Sequence, residues 1–150
     1  MPRQHQRSTQ RDPFNLGRFI KAQSWIYDWA LAELKRGRKR SHWMWFIFPQ
    51  IDGLGASPLA QFYAIKTAAE ARNYLHHPEL GRRLAGCCKA LLRLQGLSAS
   101  EIFGYPDDRM LRSSMTLFAA IAGPGSLFAR VLGQYFDGQP DPRTLELLKL

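Results

Sequence analysis

The block Ser41-His42-Trp43-Met44-Trp45-Phe46-Ile47-Phe48-Pro49-Gln50 constrains the fold more than any other part of this chain. It holds four of the eighteen Trp, Tyr and Phe side chains and directly follows the basic run Lys35 to Arg40. Aromatic side chains bury about 150–250 Å² each, so a group this dense needs partners. It either forms the centre of a core or walls a pocket into which His42 and Gln50 project. Strict alternation would place Trp43, Trp45 and Ile47 on one face and Met44, Phe46 and Phe48 on the other, as in a strand buried on both sides. No second strand candidate exists to pair with it. The block therefore reads as a short buried helix or extended core segment, stopped by Pro49.

The rest of the pattern is helical. Asp12-Pro13 offers an N-cap followed by proline at the first helical position. Leu16, Phe19, Ile20, Gln23, Tyr27, Ala30, Leu31 and Leu34 then form one amphipathic stripe, with a bend or break expected near Ser24 and an end at Gly37. Ile51 to Pro58 is a glycine-rich loop leading to a short helical piece over 59–65. Thr67–Glu70 and Ser98–Glu101 are capping boxes for two further helices. Between them, Pro78 and Glu79 open a helix whose inner face is Leu80, Leu84, Cys87, Cys88, Leu91 and Leu92. Asp107 or Asp108 starts a helix with the stripe Leu111, Ser114, Met115, Phe118, Ile121 and Ala122, broken at Gly123-Pro124-Gly125. Leu127 to Tyr135 form another, and Asp141-Pro142 caps a terminal one. The expected fold is all-α, a single compact multihelical domain of about seven to nine helices over residues 12–150. Residues 1–11 are polar, lack apolar periodicity and read as a disordered basic arm.

A hydrophobic content of 45% over 150 residues is enough for one substantial core. No apolar leader and no segment of bilayer-spanning length is evident, so a cytoplasmic protein without membrane association is expected. The adjacent Cys87 and Cys88 read as buried thiols, since a vicinal disulfide is strained and no Cys/His spacing supports a metal. Neither metal nor cofactor is expected. Charge is concentrated at one end: residues 1–40 carry ten Lys or Arg against Asp12, Asp28 and Glu33, which accounts for +7 of the formal +9.

Four groups of residues carry candidate chemistry. His42, with Ser41, Trp43, Trp45 and Gln50 around it, could serve as acid, base or ligand contact near neutral pH, or could simply bond the turn after the basic run. The loop Gly53 to Pro58, with Gly55 and Ser57, could present backbone N–H groups to an anion, although it matches neither phosphate-binding fingerprint. Asp108 and Arg112 have the spacing of a helical ion pair, and Ser113 and Thr116 lie on a face away from the apolar stripe. Those hydroxyls either bond neighbouring helices or line a cavity. The run at 35–40, in a chain whose basic residues are fifteen Arg to six Lys, suits phosphate contact as well as a solvated helix end.

These motifs resemble a family of mainly bacterial proteins of unknown function, DUF1810. The resemblance rests on Asp12-Pro13-Phe14-Asn15-Leu16, on Gly37 through Gln50 and on Leu54-Gly55 with Ser57. Further matches are Tyr63-Ala64-Ile65, Tyr74-Leu75 with His77-Pro78, Ile102-Phe103-Gly104, and Asp107-Asp108 with Leu111 through Phe118. It covers about residues 12–150. Many members have Lys where this chain has Arg112. The resemblance implies a small multihelical domain and no established activity. The protease-inhibitor name calpastatin attached to some members does not suit a chain with a dense aromatic core.

The leading functional expectation is a site for a small anionic, nucleotide-like ligand, with catalysis left open. Lys39, Ser41, His42, Trp43, Trp45 and Gln50 would meet Gly55, Ser57 and Tyr63 and the Asp108, Arg112, Ser113 and Thr116 turn. The alternatives are a nucleic-acid-associated module using the basic N-terminal region, and a structural or interaction protein without an active site. The oligomeric state is left open.

Overall fold

A computed structural model describes residues 12–149, which form nine helices. They are α1 Gly17–Arg36, α2 Met44–Ile47, α3 Pro58–Phe62, α4 Ala68–His76 and α5 Leu80–Arg93, followed by α6 Ala99–Phe103, α7 Asp107–Ala122, α8 Leu127–Phe136 and α9 Pro142–Leu148. Among the described residues the β pairing is a single isolated parallel bridge, Ile51 to Ile65. The architecture is all-α, and the segment 1–11 read as a basic arm lies outside the described residues.

Helix ends follow local chemistry. The Asp12 carboxylate accepts from the N–H groups of Leu16 and Gly17, but the N-cap position of α1 is Leu16 rather than the expected Asp12. Pro13 likewise lies in the turn ahead of the helix. Asn15 adopts the left-handed conformation (φ 52°), which displaces the helix start by one turn. No break occurs at Ser24, because its hydroxyl donates to the Lys21 carbonyl within the helix. Gly37 ends α1 at φ 74°, its N–H returning to Glu33 and Leu34. Ser98 and Glu101 complete their capping box. At the other one, Thr67 accepts from the Glu70 N–H, but the Glu70 side chain turns instead to Lys66 N–H and Arg18.

Phe19, Ala30 and Leu34 of α1 pack with Trp43, Met44, Ile47 and Phe48, the inner faces of α5 and α7, and Phe128, Val131 and Leu132 of α8. The aromatic block is thus mostly core, built on the single turn of α2 and an extended exit through Pro49. Gln23 crosses this core, donating to the Phe46 carbonyl and the Tyr74 hydroxyl. Helix α5 lies against α1, α4 and α8. Two close approaches along α5 involve glycine. A Cβ at Gly81 would stand 2.1 Å from the Leu75 carbonyl oxygen, and one at Gly86 would stand 2.7 Å from the Tyr27 hydroxyl. Cys87 and Cys88 are free, buried thiols, and burial pushes the Cys87 pKa up to about 12.

The glycines of α5 and α8 should respond oppositely to alanine. Gly81→Ala drives a methyl into backbone and should cost about 2–3 kcal/mol in urea denaturation. Gly133→Ala in α8 meets nothing within 4 Å and should stabilise the protein by up to about 1 kcal/mol through helix propensity.

Candidate functional site

The sequence places an acid, Glu33, on the last turns of α1 where its side chain faces inward, and the chain after Gly37 folds over it. Its carboxylate accepts five hydrogen bonds, from the N–H groups of Arg40 and Ser41, the Ser41 hydroxyl, and the indole N–H groups of Trp43 and Trp29. Burial by itself would raise its pKa. The bonds from Arg40, Ser41 and Trp43 outweigh that and hold it at about 2. On the other side of Trp43, the Lys39 ammonium lies 4.9 Å from the ring centroid and 2.6 Å from the Asp107 carboxylate at the start of α7. The Lys39 N–H also donates to the Ile102 carbonyl, tying the loop to α6.

This network accounts for several residues grouped from the sequence. Lys39, Ser41 and Trp43 are engaged inside the protein. His42 sits in the bend before α2 and is exposed, rather than projecting into a pocket walled by the block. Trp45, Gln50, Gly55 and Tyr63 do line one cleft, but its volume is about 10 Å³, room for about one water molecule. Ser57 caps α3 by accepting from the Ala60 N–H. Asp108 accepts from the Arg109 N–H and does not pair with Arg112, whose guanidinium donates instead to the carbonyls of Gln139 and Pro140. The Ser113 hydroxyl donates to Asp141, and Thr116 accepts from the Asp141 N–H, so both fasten the cap of α9 to α7 rather than line a cavity. The cleft lined by Trp45, Gln50, Gly55 and Tyr63 therefore does not include Lys39, Ser41, His42, Trp43, Ser57 or the residues of α7.

What the structure brings together lies on the outer face of α1. Trp25 and Trp29, one helical turn apart, are 90% and 63% exposed. Trp29 is held in place through its N–H, which reaches Glu33 and the Ser41 hydroxyl. Lys21, Lys35, Arg36, Arg38 and Arg40 are exposed on the same helix and the loop after it, with Asp28 the one exposed acid among those residues. Helix α5 packs beside α1, carries Arg82, Arg83, Lys89 and Arg93, and has no acid at all. The sequence held the signal for this face: Trp25 and Trp29 both fall off the apolar stripe of α1, so burying that stripe must turn them outward.

At the start of α1 a cleft of about 580 Å³ opens between Trp25 and Phe62, which is 54% exposed. One buried guanidinium joins its walls. Arg18 donates to the carbonyls of Phe14 and Asn15 on one side and of Phe62 and Ala64 on the other, and pairs with Glu70 at 2.8 Å. All five of its N–H donors are used.

Because the Glu33 pKa lies below its unfolded value, its stabilisation is present above about pH 4.5 and is lost as pH falls toward about 2. That loss should amount to about 3 kcal/mol. Glu33→Gln should be less stable than the parent at pH 6, and its denaturation midpoint should fall less between pH 5 and pH 2.5. Equal acid sensitivity of the two proteins would refute the assignment.

Residues 13–148 match the family described as protein of unknown function (DUF1810). The conserved hypothetical protein Rv1873 from Mycobacterium tuberculosis, known from its crystal structure, is 50% identical and superposes with a TM-score of 0.90 over 93% of this chain and 99% of that one. No curated protein matches the sequence. With nearly its whole length matched, the chain belongs to the DUF1810 family, whose function is unknown.

Proposed function

We propose that this protein is a binding module for single-stranded nucleic acid, using the outer face of α1 and the basic loop that follows it. The observation that carries this reading is the pair Trp25 and Trp29, exposed side by side amid cations. Single strands are held by stacking of bases on aromatic faces combined with a basic surface that follows the phosphates. A tryptophan this exposed serves no packing purpose, and the N–H bonds of Trp29 fix one ring before any ligand arrives, which lowers the ordering cost of binding. Interfaces for protein partners favour few charges at their centre, whereas Lys21 and Asp28 stand within one turn of Trp25, among the apolar Ala22, Ile26 and Ala32. The reading for a small anionic ligand beside His42 has less support, since Lys39 and Arg112 are committed to internal partners.

Fluorescence anisotropy with a labelled single-stranded oligonucleotide tests this. Affinity should fall with salt, the logarithmic slope changing by about 0.7 for each phosphate contact removed. Replacing Lys35 and Arg36 together by Gln should therefore flatten the slope by about 1.4. Trp29→Ala should weaken binding about 5- to 100-fold with the slope unchanged. Competition by polyglutamate as effective as that of the unlabelled strand would sink the proposal.

A further inference from the structure

Resting on that reading, we infer that the cleft between α1 and the end of α3 accepts one unstacked base of the bound strand. Trp25 and Phe62 form its walls, Lys21 receives the adjoining phosphate, and the side-chain amide of Asn15 contacts the base edge. The cleft's volume of about 580 Å³ falls within the range of about 300–1,000 Å³ usual for ligand sites. The Phe62 ring is exposed yet braced edge-on against Tyr63, with centroids 4.8 Å apart, so it presents a fixed face. Trp25, on α1, is a second exposed aromatic ring in the cleft's lining.

Two further features point to a ligand with both a ring and an anionic group. Arg18 bonds the carbonyls of Phe14, Phe62 and Ala64 and pairs with Glu70, so the backbone carrying Phe62 is fixed against the start of α1. With every N–H of Arg18 engaged, the exposed cation left in the cleft's lining is Lys21. Asn15 occupies a left-handed turn that glycine would fill with less strain, and its exposed amide offers a donor and an acceptor at the cleft. Asparagine amides pair with base edges in this way, adenine being the base they match best. The chemistry thus favours a purine with a 5′ or 3′ phosphate within a strand.

Anisotropy with strands of about twelve nucleotides, within the span one such module covers, separates the parts of this inference. Homopolymers of deoxyadenosine and deoxythymidine would be compared with an abasic strand of the same length. The intact protein should bind the deoxyadenosine strand best and the abasic strand at least about tenfold more weakly. Phe62→Ala should reduce affinity for the deoxyadenosine strand about 5- to 100-fold and leave the salt slope unchanged. Phe62→Trp should restore or strengthen binding, which guards against a mere loss of folding. Asn15→Gly keeps the turn and should abolish the preference between the two homopolymers. If strands bind, and Trp29→Ala weakens them, but Phe62→Ala and the abasic strand bind as tightly as the originals, the cleft assignment is overturned while the nucleic-acid reading stands. If no strand binds, both fall.

Discussion

A carboxylate buried without a cation is normally too costly to keep charged, and the fold around the aromatic block is arranged to meet that cost at Glu33. Five donors converge on it, two of them backbone N–H groups of the loop after α1. The loop therefore has one way to close over the end of α1. That closure presents Trp43 to the core and leaves Trp29 outside, so one anion fixes an inner and an outer indole together. Lys39, on the opposite side of Trp43, extends the arrangement to α6 and α7 through Ile102 and Asp107.

Arg18 and Glu70 play the corresponding part at the other end of α1, where one guanidinium binds four carbonyls and a carboxylate. Breaking such a buried pair from one side costs about 3–5 kcal/mol, because the remaining charge is stranded. The electrostatic design is consistent across the helix. Buried charges are satisfied within the protein, while the cations left over point outward around Trp25 and Trp29.

Much of the fold is legible in the sequence because caps and breakers act locally. Gly37, the Ser98–Glu101 box and Asp141-Pro142 mark their helix ends directly. The absence of a partner strand also settles the 41–50 block as core among helices. What escapes is decided by distant partners. Ser24 suggests a break, yet its hydroxyl is satisfied one turn back. Glu70 suits a capping box, yet Arg18, far away in sequence, claims it. The placement of the candidate site residues is decided in the same way: His42, Gln50 and Arg112 are polar residues near apolar ones, and only tertiary contacts decide whether they face a cavity, a carbonyl or water. The outer face is legible in Trp25 and Trp29 lying off the stripe.

The paired thiols of α5 have a practical consequence. Cys87 and Cys88 lie on the helix that contacts α1, α4 and α8, and burial keeps both protonated at neutral pH. A thiol-reactive reagent can reach them only when that junction separates. The rate of their labelling therefore measures how often the centre of the molecule opens, giving the protein an intrinsic clock for its own breathing.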